Sequence, residues 1–106
     1  MKKNDFSFVE NLLGAYFHQD WGCLFGGWKD CVIDAAGGNS IVWEQRLHDQ
    51  IGAILANLSD AEIEAFFYDS HADIDVPYDA GMNHRSFLQE VQRLISEDIV
   101  RRTGEP

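Results

Sequence analysis

The sequence predicts an all-α fold: a small single-domain bundle of about four to five helices, with an acidic loop before the last one. Three observations carry that prediction. Apolar residues recur at three- and four-residue intervals in several separate stretches, the period of one helical face. Residues that start and stop helices stand at the ends of those stretches. No convincing apolar–polar alternation or hairpin turn competes with them. A chain of 106 residues, 45% of them apolar and with three Trp, three Tyr and seven Phe, holds enough material for one core and is short for a separate cofactor domain.

Phe6, Val9, Leu12, Leu13, Tyr16 and Phe17 form the first helical stripe. Gly22, Gly26 and Gly27 then interrupt the pattern. Trp28, Cys31, Val32 and Ala35 predict a shorter second helix, stopped by Gly37 and Gly38. Ser40 is the N-cap of a third, with Trp43 opening it and Leu47, Ile51, Ile54, Leu55 and Leu58 on its apolar side. Ser59-Asp60-Ala61-Glu62 has capping-box spacing, in which serine oxygen and glutamate carboxylate satisfy each other's free backbone donors. Ile63, Phe66 and Phe67 are the buried face expected behind it. Between Asp69 and Asn83 the periodicity stops, with Pro77 and Gly81 as punctuation, which predicts an acidic loop holding a short extended piece at Ile74–Val76. Asn83 caps the last helix, which buries Phe87, Leu88, Val91, Leu94, Ile95 and Ile99 and turns Arg85, Gln89, Glu90, Gln92 and Arg93 to water.

Charge narrows the function classes. Eighteen acidic against eight basic residues give a formal charge of −10, so the chain repels phosphate backbones and anionic membranes, and neither nucleic acid nor membrane is an expected partner. MKKNDFSF lacks the apolar run of an export signal, and no stretch approaches the roughly 18 apolar residues of a membrane span, so a cytoplasmic protein is expected. Cys23 and Cys31 are too few for a disulfide scaffold and read as structural thiols.

Three clusters invite a chemical reading. His18 and Asp20 offer an acid–base pair, but side chains two apart share no helical face, no nucleophile stands beside them, and a hydrogen bond fixing an aromatic corner explains them as well. Asp69, His71, Asp73 and Asp75 alternate like calcium-loop ligands. Counted from Asp69, however, the sixth position is Ile74 where glycine is needed, and the twelfth is Ala80 where a glutamate is needed. Zinc spacings and a phosphate-loop ending are missing, so no cofactor or metal is expected. The enzyme alternative is a metal-dependent hydrolase built on His18 and Asp20 or on His71 and Asp73.

Between Arg46 and Arg85 the chain has no lysine or arginine but carries Asp49, Asp60, Glu62, Glu64, Asp69, Asp73, Asp75 and Asp79. Such a one-signed interval is either a solvated face or a surface for a basic partner, with Tyr68 and Tyr78 of the type that anchors interfaces. A nucleic-acid mimic shares the acidity but needs a longer, evenly spaced row of carboxylates. Composition leaves the solvated face and the partner surface near even.

The block LLGAYFHQDW at Leu12–Trp21, followed by Trp28, the Leu47–Leu58 helix, the Leu58-Ser59-Asp60-Ala61-Glu62 junction and the Tyr78…Gly81…Phe87-Leu88…Val91…Leu94 ending, resembles the immunity proteins of bacterial contact-dependent growth inhibition systems. The resemblance spans about residues 12–95. It implies a small, non-enzymatic, cytosolic protein that binds and neutralises the C-terminal toxin domain delivered by a sibling cell, often a nuclease, by blocking its active site or substrate groove. Tyr16, Phe17, His18, Gln19, Asp20 and Trp21 match the family motif and are expected to form a structural corner shared among inhibitors of different toxins. Recognition then falls on the acidic interval: Asp60, Glu62, Glu64, Tyr68, Asp69, Asp73, Asp75, Tyr78 and Asp79. After Trp21 the chain departs from the family's acidic pattern with Gly22, Cys23, Leu24, Phe25, Gly26 and Gly27, which leaves Leu24 and Phe25 either packed inside or offered to an interface.

Overall fold

The computed structural model describes residues 6–17, 27–70 and 72–104. Among these residues there is no strand, and the chain forms six helical units in place of the expected four to five. Helix α1 (Ser7–Asn11) runs directly into a π-helical turn, Leu12–Tyr16, closed by the Phe17 N–H donating to the Leu12 carbonyl at 3.2 Å. Then come α2 (Trp28–Gly37), α3 (Ile41–Asn57), α4 (Asp60–Asp69), a second π turn (Val76–Ala80) and α5 (His84–Thr103).

The local start signals act as the sequence predicts. Ser40 Oγ accepts from the Trp43 N–H at 3.1 Å. Ser59 and Glu62 close a full capping box, with bonds of 3.2 and 2.8 Å. Asn83 Oδ1 accepts from the Ser86 N–H at 2.8 Å. Each satisfies backbone donors that the helix itself leaves without a partner. The start of α1 is different, because its N-cap residue, Phe6, makes no side-chain cap bond. Gln50, 42 and 41 residues away, accepts from the N–H groups of Phe8 and Val9 through one oxygen at 2.8 and 3.3 Å.

The π turn Val76–Ala80 corrects the expected acidic loop. Asp75 is extended, but the backbone winds from Val76 onward. Asp75 Oδ1 accepts from the Tyr78 N–H at 3.3 Å, and Asp79 Oδ2 accepts from the Asp75 N–H at 2.8 Å, so two of the loop's carboxylates cap its helical turn. Gly81, at φ 69°, ends that turn in the left-handed region that a side chain would strain. The extended piece at Ile74–Val76 is thus confined to the residues before Val76.

α3 and α5 form the most extensive contact of the bundle, and α1, α2 and α4 pack around them. Phe87 on α5 is the meeting point at one end, where Phe17, Trp28 and Phe67 bring rings to within 5.8, 4.8 and 5.8 Å of it. Leu55, Leu58, Phe66, Leu94 and Ile99 pack half-buried around this core. Arg85 corrects another expectation. Instead of facing water it reaches 2.9 and 2.6 Å to the carbonyls of Leu55 and Leu58 and 2.5 Å to Asp60, tying the end of α3 and the start of α4 to α5. Gln92 also turns inward, to the His48 carbonyl at 3.2 Å. No helix among the described residues is long and apolar enough to cross a membrane.

Candidate functional site: the face of α4 and the second π turn

All nine residues of the expected recognition surface lie on α4, on the segment after it or on the π turn, and all nine are exposed. They are not equivalent. Glu62 is held by the capping box, and its bonds with Ser59 keep its carboxyl below the usual carboxylate range. Asp60 is paired with Arg85. Asp75 and Asp79 cap the π turn. That leaves Glu64, Asp69 and Asp73, whose side chains engage no partner among the described residues, and two tyrosines with 87% (Tyr68) and 85% (Tyr78) of their surface in solvent.

Two hollows flank this surface. One lies along α4, lined by Ala61, Glu64, Ala65, Tyr68 and Asp69. The other is a cleft of about 310 Å³ between α4 and the π turn, floored by Phe67, Ile74, Val76 and Pro77 and edged by Asp75. Glu64 and Tyr68 line both and form the ridge between them. The arrangement is acidic at its rim and apolar at its base.

Of the expected family-motif corner, Tyr16 and Phe17 are described, and Phe17 adjoins this face. The Phe17 carbonyl accepts from the Asp73 N–H at 2.7 Å, so the acidic segment hangs from the end of the first helical unit. Gly14 makes that approach possible, since a Cβ there would stand 3.2 Å from the Ser70 carbonyl. Tyr16 faces the other way. Its hydroxyl accepts from Asn39 at 2.9 Å, its ring meets Trp43 edge-on, and its carbonyl accepts from the Cys31 thiol at 3.3 Å. Burial pushes that thiol up to about 12, with Asp34 adding to the effect, so Cys31 is an inert core group. His18, Gln19, Asp20 and Trp21, together with Cys23, Leu24 and Phe25, lie outside the described residues, as does His71.

The two proposed hydrolase pairs therefore rest on Asp73 alone among the described residues, and Asp73 is exposed. No group of three or more His, Cys, Asp or Glu among them has metal-holding geometry. Nor is there an even row of free carboxylates of the kind a nucleic-acid mimic needs, because four of the face's acids are bonded within the chain.

The residues that sequence reading missed are those paired over long distances. Glu44 is completely buried, and Arg102 bonds it at 2.5 Å while also donating to the Ala36 carbonyl at 3.0 Å. Burial raises the Glu44 carboxyl, and Arg102 opposes that rise. The signal was present: Glu44 stands three and seven residues before Leu47 and Ile51, on the apolar stripe of α3. Asp75 followed by Pro77 likewise announced a helical start within the supposed loop.

Neither a curated protein nor a solved structure gives a significant match to this chain. The family model described as CdiI immunity protein matches residues 5–95, from before α1 into the middle of α5, and takes in both the motif corner and the acidic face. With most of its length matched, the chain belongs to the CdiI immunity protein family.

Proposed function

We propose that this protein works in the cytoplasm as a stoichiometric inhibitor, without turnover of its own, that lays the face of α4 and the second π turn over the active site or substrate groove of its cognate toxin domain. The toxin is read as a basic nuclease. One observation carries the assignment of the face: Glu64, Asp69 and Asp73 are exposed with no cation beside them among the described residues, next to two tyrosines left almost wholly in water. A groove shaped for a nucleic-acid backbone is lined with lysine and arginine, and such a face is complementary to it in sign. Family membership supplies the class of partner.

The test uses the cognate toxin domain. Its nuclease activity is titrated with increasing inhibitor, and activity should fall in proportion and vanish once every toxin molecule is bound. Inactivation by far less than an equivalent would mean that the chain is an enzyme, and full activity in excess inhibitor would remove the toxin-binding reading.

A further inference from the structure

We propose that the cleft between α4 and the π turn is a receptor for one arginine side chain of the toxin domain, whose guanidinium lies against Tyr68 between the carboxylates of Glu64 and Asp75. The proposal rests on the reading of this face as toxin-binding and makes it specific. Its starting point is shape. About 310 Å³ lies at the small end of the roughly 300–1,000 Å³ typical of ligand clefts, enough for one long side chain and too little for a helix or strand.

The lining then selects the chemistry. Phe67 and Ile74 belong to the core yet keep a sliver of surface exposed where they line the cleft, and Val76 lies fully buried beneath it, an apolar bed for a chain of methylenes. Glu64 and Asp75 stand at the rim, and no lysine or arginine lines it. Asp75 uses Oδ1 to cap the Tyr78 N–H, which leaves lone pairs on Oδ2. A side chain with an apolar stem and a cationic head fits these requirements. Arginine is favoured over lysine because a planar fork bridges two separate carboxylates and stacks on a tyrosine ring, whereas an ammonium is a compact, strongly hydrated point charge.

Arg85, the arginine next to the cleft in sequence, does not fill it, and no other arginine lines it. Arg85 lies next to His84, which lines the cleft with its ring edge-on to Phe67 at 4.8 Å, but all three of its donor groups are engaged by Asp60, Leu55 and Leu58. The cation that completes the cleft therefore comes from outside the described chain.

The experiment has two arms. In the first, the ¹⁵N-labelled protein is titrated with a blocked Gly-Arg-Gly peptide, and separately with its lysine and citrulline counterparts. Saturable millimolar binding, the strength open to so small a fragment, should shift the amides of Glu64, Tyr68, Ile74 and Val76, with lysine at least tenfold weaker and citrulline inactive. Equal response to lysine, or unsaturable shifts spread over every exposed acid, overturns the proposal. In the second arm, Glu64→Gln and the cleft-filling Ala72→Trp are tested against the cognate toxin domain, with Asp69→Lys/Asp73→Lys alongside. Melting curves confirm that each variant is folded. Either cleft variant should weaken binding at least tenfold through faster release. If the lysine variant slows association while both cleft variants bind normally, the cleft proposal fails and the face survives. If all three bind normally, the reading of the face itself fails.

Discussion

α5 and the face formed by α4 and the second π turn handle charge in opposite ways. Four arginines of α5 are each joined to a carboxylate: Arg85 to Asp60, Arg93 to Glu90 and Glu97, Arg101 to Asp98, and Arg102 to Glu44. On the face of α4 and the second π turn, Glu64, Asp69 and Asp73 stand without such a partner among the described residues. Unpaired surface charge adds little to stability, and like charges set close together subtract from it. The contrast teaches a division between charge held by structure and charge left free: Arg85 and Arg102 tie helices to one another, Arg93 and Arg101 pair within α5, and the three free carboxylates are what the proposed toxin-binding role would use.

The largest effect is expected at Arg102. Arg102→Ala leaves the fully buried Glu44 carboxylate without its counter-charge and should lower unfolding free energy by about 3 kcal/mol, since breaking a buried pair from one side typically costs that or more. Urea titration measures it. Burial already holds the Glu44 carboxyl above its ordinary value, so the native state keeps this proton at a pH where the unfolded chain has lost it. The stability from that proton is therefore present at low pH and disappears as pH rises through the native value. With Arg102 gone the carboxyl rises further, and the deficit of Arg102→Ala should shrink on acidification. Toxin association should not change. A loss of association rate equal to that of the acidic-face variants would break the division.

Arg85 sits on the boundary between the two regions and sharpens it. Arg85→Ala removes charged donors from Asp60 and from the last carbonyls of α3, which should cost about 1.5–3 kcal/mol. It also frees Asp60 and adds one more unpaired carboxylate to the face. The variant should be less stable yet associate with the toxin at least as fast as the parent, and stopped-flow mixing beside a melting curve reads both. Slower association would mean that Arg85 belongs to the recognition surface.

A smaller effect follows from the free acids. Asp69→Lys/Asp73→Lys should slow association about tenfold at low salt and flatten its salt dependence, with release little altered, because exposed charges act mainly on encounter. Melting should stay within error of the parent. These two positions make a cleaner probe than Asp75 and Asp79, whose reversal would also uncap the π turn. Indistinguishable salt slopes would make the acidic interval a plain solvated face.

What the sequence made legible follows the same division by distance along the chain. Ser40 with Trp43, Ser59 with Glu62, and Asn83 with Ser86 each act across three residues, so their spacing alone reveals them. Gln50 with Phe8, Arg85 with Leu55, and Glu44 with Arg102 span 42, 30 and 58 residues, and no local pattern couples them. The site was legible in composition but not in detail. Counting charges marks the interval, yet only the fold shows that Asp60, Glu62, Asp75 and Asp79 are engaged internally while Glu64, Asp69 and Asp73 are not. The expected acidic loop winds in part because two of its carboxylates supply the caps that let five residues form a turn, a role that charge counting does not reveal.

The smallest expected effect tests whether an acid of the α4 face that is engaged in structure behaves like those of α5. Ser59→Ala opens the capping box and should cost about 1 kcal/mol, the usual worth of a serine N-cap. The pH dependence identifies the source. In the parent, the bonds with Ser59 hold the Glu62 carboxyl below its ordinary value, so its contribution to stability is present above the unfolded carboxylate range and is lost as pH falls through the lowered native value. Ser59→Ala keeps the backbone N–H of residue 59, the larger source of that lowering, and loses only the hydroxyl's share, so the linkage weakens without vanishing. The two proteins should therefore differ most near neutral pH and converge in acid, as thermal melts across the carboxylate range would show. Toxin affinity should stay the same, since Glu62 already faces its own helix end and a solvated alanine beside it changes no free charge. Lost affinity with unchanged melting would return Glu62 to the recognition surface and show that a carboxylate can cap a helix and hold a partner at once.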